Sequence, residues 1–390
     1  MSGEKIEELL TRGVEEVIDR EPLTKLLKSK RKLRIKLGID PTSVKIHIGH
    51  AVILWKLRAF QDLGHKVIFI VGDFTGQIGD TSDKDSERPM LTEVQIRKNM
   101  KTYFQQALMI LDKSKTETHY NSAWLKKLDF NDVGRLADLF GVNEFTSREN
   151  MARRLKAGKR VSLRELLYPL MQGYDSVAVK ADVELGGTDQ RFNLLAGRKI
   201  QKMFRQEQQN VMIMTLMEGT DGRKMSASWG NVINLTESAD EMFGKVMSVS
   251  DDLMRRYFLL ATQVSQDEIA QIFKITSNPR DIKVRLAREI VCLYHGQKKA
   301  QLAQENFEIK FGKGKGAIVP DFTLNKKSGS YPILDILVES KLAFSKSEAR
   351  RKIKEGAVEV DGERIIEEMA QAKLKPGSLI RLGKRFAKIV

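Results

Sequence analysis

Apolar and polar positions change period several times along the chain, and each change predicts a different element. Residues 5–19 and 22–29 place apolar side chains three and four apart, which predicts amphipathic helices; KLRIKLGI (32–39) is apolar and partly β-branched, which predicts a strand. After the loop DPTSVKI, the positions Val52, Leu54, Trp55, Leu57, Ala59 and Phe60 suit a buried helix over 49–63, and HKVIFIVGDF (65–74) reads as a nearly continuous apolar strand. Strand, helix and strand in succession form a βαβ unit, so the sheet is expected to be parallel. VAVKADVEL (177–185) predicts another strand, leading through Gly186 and Gly187 into a helix, and VMIMTLM (211–217) predicts one more. The expected first half is an open, doubly wound sheet whose ligands bind at the carboxyl ends of its strands.

From about Glu237 to Phe311 the pattern turns helical, in DDLMRRYFLL, SQDEIAQIFKI and IKVRLAREIVCLYHG. The stretch FGKGKGAIVPDFTLNKKSGS (311–330) is rich in Gly, Lys and Ser without a sustained period and reads as a linker. The last 60 residues read as a separate module, and the chain shows no internal repeat.

Composition narrows the class. A chain of 390 residues with 41% apolar side chains supports two or three cores. No run approaches about 18 uncharged apolar residues, and MSGEKIEELL is charged where a secretory segment would be apolar, so a cytoplasmic protein without a membrane partner is expected. The single cysteine, Cys292, excludes an internal disulfide framework and a cysteine-rich zinc cluster. The net charge of +16 and pI near 9.6 suggest a polyanionic partner. The excess is partly concentrated: from Lys341 onward there are 13 Lys and Arg against 7 Asp and Glu, as a nucleic-acid surface requires.

Two short motifs carry candidate chemistry. In KIHIGHA (45–51), His47 and His50 stand three apart around Gly49, where a loop feeds a helix, in a chain with only 5 histidines. The first turn of a helix presents unpaired N–H groups and the positive end of a dipole, which suits phosphate. A zinc helix would space its histidines by four with a Glu between, and no third ligand is near; two structural histidines remain an alternative. In GRKMSAS (222–228), Gly and small residues surround Lys224, a composition suited either to a mobile loop that carries an ammonium to a polyphosphate or to an ordinary turn.

A third constellation lies in YPLMQGYD. Tyr168, Gln172 and Asp175 fall at i, i+4 and i+7, on one helix face, among the apolar Leu166, Leu167, Leu170, Val177 and Val179. A carboxylate in that setting needs a donor. The run Gly-Gly-Thr-Asp-Gln (186–190) joins a strand to a helix, where glycine allows close backbone approach and Asp189 and Gln190 can meet ribose hydroxyls or a polar substrate head; Thr188 also suits a helix N-cap. Lys84 and Arg88, in GDTSDKDSER, read by themselves as a solvated charge run.

Together and in this order, the histidine and lysine motifs resemble the HIGH and KMSKS signatures of class I aminoacyl-tRNA synthetases. LGIDPTSVKIHIGH, GDFTGQIGDTSDKDSER, YPLMQGYDSVAVKADVELGGTDQRFNLLAGR and KMSAS narrow the resemblance to tyrosyl-tRNA synthetases, from about residue 31 to the end of the chain. The resemblance implies an α/β fold: a Rossmann-like parallel-sheet catalytic domain over 1–235 with a dimerisation insertion at about 115–165, and a helical anticodon-side domain over 236–312. A linker over 313–330 and an α+β domain of the alpha-L RNA-binding type over 331–390 complete it. The partners it implies are L-tyrosine, ATP with Mg2+ on its phosphates, tRNA(Tyr) and a second copy of the chain; no structural metal is expected.

The resemblance also assigns roles. Asp175 faces the phenol, while Tyr168, Gln172 and Asp80 hold the α-amino group, with Gly38 and Gln190 beside the tyrosine. Asp40, Thr42, Gly49, Gly187, Asp189, Met225 and Ser226 contact ATP. His47, His50 and Lys224 act on the α-phosphate as the tyrosine carboxylate attacks it in line, a step that needs positioning and charge stabilisation rather than a protein nucleophile. Lys84 and Arg88 stand on the pyrophosphate side. Lys346, Arg350, Arg351, Lys352 and Lys354 form a basic helix face for tRNA. Two positions depart from the pattern: Ala227 replaces a second loop lysine, and Lys36 stands where many bacterial relatives have a tyrosine near the phenol. The rival readings are a tryptophanyl-tRNA synthetase and a non-catalytic RNA-binding relative.

Overall fold

The most apolar runs form interior strands of a sheet, where both faces are covered and every side chain must be apolar or paired. In the computed structural model, which describes residues 3–82, 86–87, 89–225, 229–311, 320, 322–383 and 385–390, six strands build this sheet. They are β1 (Val14–Ile18), β2 (Arg34–Ile39), β3 (Lys66–Val71), β4 (Thr116–Tyr120), β5 (Val183–Gly187) and β6 (Asn210–Met214), in the order β1-β6-β5-β2-β3-β4. Strands β2 to β6 are parallel, and β1 pairs antiparallel with β6. The chain leaves β2 toward β3 on one side and returns as β5 on the other. Their carboxyl ends therefore part at the β2–β5 junction, the place where open α/β sheets bind ligands.

The helix Ile48–Asp62 connects β2 to β3, and Leu163–Ala178 and Arg191–Met203 pack against each other around β5. Ser162 starts the Leu163–Ala178 helix: its side chain caps the Arg164 N–H while Glu165 reaches back to the Ser162 N–H at 2.9 Å. Helices Ala239–Met247, Met254–Ala261 and Pro279–His295 follow within the same compact unit, Met1–Ala300. Among the described residues no helix is long and apolar enough to cross a membrane.

The second unit, Gln301–Val390, has its own core of Ile333, Leu337, Ile353, Val358, Ile380 and Ile389. Strands β7 (Phe322–Leu324), β8 (Gly329–Pro332), β9 (Val358–Val360), β10 (Glu363–Ile365), β11 (Gln371–Leu374), β12 (Leu379–Leu382) and β13 (Arg385–Ile389) form two sheets, β10-β9-β12-β13-β7 and β11-β8. Helices Ile333–Glu339 and Lys346–Lys354 contribute to the same core.

Four expectations shift. Residues 14–18 form an edge strand and not the second half of a helix, because Gly13 takes a positive φ of 64° and ends the first helix at Thr11. The run VAV (177–179) closes the Leu163–Ala178 helix, and the strand begins only at Val183; so short an apolar run fits either period. The expected insertion begins too early, since Thr116–Tyr120 is the β4 edge of the main sheet, and its sequence TETHY is too polar to signal a strand. The expected linker ends too late, because β7 and part of β8 arise within 313–330, where Phe322 and Leu324 pack on the second core.

Gly173 fixes how closely the two helices beside β5 approach. A Cβ there would lie 3.1 Å from the Gly197 nitrogen and 2.7 Å from Ile200 Cδ1. Gly173→Val is therefore expected to cost about 1–3 kcal/mol through overpacking, read as a lowered midpoint in urea denaturation; an unchanged midpoint would mean that the helices separate freely.

Candidate active site

At the carboxyl ends of β2 and β5 a cavity of about 550 Å³ opens. It gathers Gly38, Asp40, Thr42, His47, Gly49, His50, Asp80, Tyr168, Gln172, Asp175, Gly187, Asp189, Gln190, Lys224 and Met225, residues drawn from five separate stretches of the sequence. Ser226 and Ala227, and likewise Lys84 and Arg88, lie outside the described residues.

A chain of hydrogen bonds runs through the buried carboxylates. Asp175, 3% exposed, accepts from Trp124 Nε1 at 2.7 Å and from Asn121 Nδ2 at 3.2 Å. Asn121 Nδ2 also donates to Thr75 Oγ1 at 2.9 Å; Thr75 donates to Asp40 Oδ1 at 2.7 Å, and the Tyr168 hydroxyl donates to Asp40 Oδ2 at 2.9 Å. Burial pushes the Asp40 carboxyl up to about 7, against the two donors and with help from the charges of Asp80 and Asp175. Burial likewise raises Asp175 to about 6, while Lys36 and the Trp124 and Asn121 donors restrain it. The demand for a donor at Asp175 is thus already met by the protein, a point that helix periodicity could not reveal. Each carboxylate oxygen keeps a further lone-pair site for a ligand. Gly72 is required here, because a Cβ would fall 2.1 Å from Asp40 Oδ1 and 2.3 Å from Thr75 Oγ1.

Beneath this network Lys36 is fully buried. Its Nζ pairs with Glu184 Oε1 at 2.9 Å and donates to the Gln172 carbonyl at 2.8 Å and to Ser176 Oγ at 2.7 Å. Gln172 Nε2 donates to the same Glu184 oxygen at 3.1 Å, and Ser176 and Gln209 donate to the other. Lys36 is therefore occupied in fixing the backbone and side chain of Gln172. A second polar cycle fixes the opposite face of Gln172. Asn193 Nδ2 donates to Gln172 Oε1 at 3.1 Å and to Gln190 Oε1 at 3.0 Å, and Gln190 Nε2 donates to Asp80 Oδ2 at 2.6 Å.

The histidine motif occupies the start of the Ile48–Asp62 helix. His47 is its N-cap residue, and the two imidazoles stack with centroids 3.8 Å apart. Burial, with the neighbouring His50, pushes His47 down to about 2; burial, with Lys224, pushes His50 down to about 4. Both rings are neutral near pH 7, so they can donate or accept hydrogen bonds but bring no charge. The buried His47 Nδ1 has no hydrogen-bond partner among the described residues. Positive charge comes from Lys224, whose Nζ lies 3.5 Å from Asp189 Oδ2. The two motifs touch directly: a Cβ on Gly49 would fall 2.8 Å from Met225 Sδ, so Gly49 lets the lysine segment close over the helix start.

The basic helix lies in the second unit. Every one of its five expected cations is near a carboxylate: Lys346 with Asp335 at 2.5 Å, Arg350 and Lys354 with Glu368 at 3.6 and 3.0 Å, and Arg351 and Lys352 with Glu355 at 3.8 and 2.6 Å. Sequence reasoning missed Thr75 and Asn121, which line the cavity, and Trp124, Ser176, Glu184 and Asn193, which hydrogen-bond to its residues or to Lys36 beneath it. Thr75 lies inside GDFTGQIGDT, a stretch already singled out for Asp80; Asn121 and Trp124 follow β4, whose strand carried no apolar signal.

Residues 28–312 match the family described as tRNA synthetases class I (W and Y), and residues 311–384 match a tyrosine–tRNA ligase SYY-like C-terminal domain. A Thermotoga maritima protein named tyrosine–tRNA ligase is 45% identical over 391 aligned residues, covering 99% of this chain and 97% of its own. A Bordetella avium protein of the same name is 48% identical, covering 97% of this chain and 94% of its own. Among solved structures, a truncated mitochondrial tyrosyl-tRNA synthetase of Aspergillus nidulans has a TM-score of 0.66 at 22% identity, over 79% of this chain and 94% of that one. The tyrosyl-tRNA synthetase of Archaeoglobus fulgidus, solved with L-tyrosine, has a TM-score of 0.62 at 23% identity, over 77% of this chain and 99% of that one. These two structures share the fold.

Trp124→Phe removes one of the two protein donors to Asp175 while keeping an aromatic ring. The Asp175 carboxyl should then titrate above its present value of about 6, followed by carboxyl carbon NMR; an unchanged titration would show that the indole does not stabilise the anion.

Proposed function

This chain belongs to the class I tRNA synthetases of the tryptophan and tyrosine group, and from that membership we propose that its cavity activates L-tyrosine with ATP and that the tyrosyl group then passes to the terminal ribose of tRNA(Tyr). The observation that carries this reading is that one cavity holds both a buried carboxylate on a helix face, Asp175, and the stacked histidines with Lys224. A tryptophan substrate has an indole N–H and no phenol; the SYY-like C-terminal match and the names of the relatives favour tyrosine.

Asp175 accepts the phenol hydrogen, so phenylalanine leaves a buried acceptor short of a partner; this enzyme group is itself an established example of such rejection. Asp80, Tyr168 and Gln172 receive the α-ammonium, with Asp40 adding negative charge through Tyr168. Gly38 and Gln190 complete the tyrosine side. The carboxylate of tyrosine attacks the α-phosphate in line, and the P–O bond to pyrophosphate breaks. Because His47 and His50 are neutral, their part is to offer hydrogen bonds to the phosphate oxygens, while Lys224 and the start of the Ile48–Asp62 helix offset the developing charge. Gly187 and Asp189 meet the ribose. Asp40, Thr42, Gly49, Met225 and Ser226 line the ATP side, and Lys84 and Arg88 approach the pyrophosphate. Lys224 leaves Asp189 for the phosphates when ATP enters.

Magnesium arrives as part of the ATP substrate. It is held chiefly through the phosphate oxygens. The reading places the enzyme in the cytoplasm as a homodimer. Phe130 at 94%, Val142 at 66% and Leu163 at 71% exposure, in and beside the insertion, support a second copy as the covering surface. The basic helix Lys346–Lys354, with Arg350, Arg351 and Lys352, faces tRNA phosphates.

ATP–pyrophosphate exchange measured with each of the twenty amino acids should respond to tyrosine; response to tryptophan alone, or to none, overturns the assignment. Asp175→Ala should weaken tyrosine affinity about 10- to 100-fold, the scale of a lost charge-assisted hydrogen bond, with the KM for ATP little changed.

The pH dependence has a definite sign. Asp40 and Asp175, at about 7 and about 6, both titrate above an unfolded carboxyl. Their contribution to stability is present at low pH and is lost as pH rises through 6 to 7, yet their anions are the forms that bind tyrosine. The KM for tyrosine in the exchange assay should rise as pH falls from about 8 to about 6, and a flat profile would remove both groups from ligand binding.

A further inference from the structure

A second cavity, of about 290 Å³, lies along the C-terminal half of the Ile48–Asp62 helix, away from the synthetase site. Its walls come from that helix, from the N-terminal helix Gly3–Thr11 and the adjoining Arg12, from Met214 of β6, and from the segment Leu259–Gln263. Lys56 lines it and is only 8% exposed. Its Nζ donates to the Leu9 carbonyl at 2.7 Å. The carboxylate on the same wall, Glu8, is turned to Arg12 at 3.4 Å. Arg12 is itself held by the Leu259 and Thr262 carbonyls, at 3.1 and 2.9 Å, which keeps a guanidinium beside the lysine.

We propose that Lys56 is a site of covalent acylation, its ε-amine attacking acyl phosphates, the mixed anhydrides of a carboxylic acid with a phosphate. The amine nitrogen bonds to the carbonyl carbon, the bond from that carbon to the bridging oxygen breaks, and the phosphate departs with the electron pair. The amine proton passes to solvent, an amide remains, and nothing is oxidised or reduced. The cavity fits both halves of such a donor: Val52, Ala59 and Leu260 present apolar surface to the acyl group, while Arg12 and Lys5 place positive charge where a phosphate would leave.

The environment also prepares the nucleophile. Burial first, and then Arg12, push the Lys56 amine down to about 7, with Glu8 opposing, so a substantial share is uncharged at neutral pH. The charged groups at the cavity are Lys5, Glu8 and Arg12 from the N-terminal side and Asp62 from its own helix; β6 and the Leu259–Gln263 segment supply neutral groups only. Acylation would abolish the charge and add bulk beneath Leu9, between the N-terminal helix and the helix that begins with His47 and His50.

Two sources share this chemistry: a free small acyl phosphate, and the tyrosyl-adenylate of the proposed reaction when it escapes its own cavity. The test treats the full-length protein with acetyl phosphate near pH 7 and follows acetylation by peptide mass spectrometry. Lys56 should label about tenfold faster than the exposed Lys28, an advantage that shrinks above about pH 9.5 as ordinary lysines lose their protons. Labelling no faster than Lys28, or labelling of Lys56 only after unfolding in urea, overturns the proposal. A parallel incubation with tyrosine and ATP and no acetyl phosphate separates the sources. A tyrosyl adduct at Lys56 assigns the enzyme's own adenylate, and acetylation without such an adduct assigns free acyl phosphates. The acetyl phosphate arm does not depend on synthetase activity, so its outcome stands apart from that of the exchange assay.

Discussion

The ion pair between Lys36 and Glu184 governs the placement of everything around it. The two residues are register neighbours on β2 and β5, the strands between which the sheet reverses direction of growth. With side chains 0% and 1% exposed, neither charge has water. A buried pair of this kind adds little net stability against a well-packed apolar pair, because desolvation offsets the attraction, and removing one partner alone is severe. What it supplies is geometry. Ser176, Gln172 and Gln209 complete the hydrogen bonding, so the pair fixes the Leu163–Ala178 helix to the strand ends at one register and aims Tyr168, Gln172 and Asp175 into the cavity.

Around that anchor the site concentrates like charge. Asp40, Asp80 and Asp175 share one cavity, and two of them titrate well above an exposed carboxyl. A fold optimised only for stability would not hold them together. An ammonium or a hydroxyl donor placed among these carboxylates would relieve the arrangement.

The strands β2, β3 and β6, the helix between β2 and β3, and the i, i+4, i+7 face of Tyr168, Gln172 and Asp175 were legible because burial forces a period on them. So were His47, His50 and Lys224, whose glycine-rich surroundings mark close approach of chain to chain. The edge strand β4 was not legible: one side faces no neighbour, and TETHY satisfies its backbone while staying polar. The loss propagated, since Asn121 and Trp124 depend on β4 for their position. Lys36 illustrates another limit. Sequence alone placed it near the phenol by analogy, but its partner Glu184 lies 148 positions further along and carries no local sign of the pairing.

The basic helix of the second unit is partly neutralised, with Glu355 and Glu368 each shared by two cations. Its outward field is therefore weaker than its sequence suggests, and loose polyanions gain little by approaching it. A ligand that displaces one glutamate releases two cations at once, so engagement favours a rigid backbone able to meet both together. A polyanion that met this surface would then be told apart by the spacing of its phosphates rather than by their number.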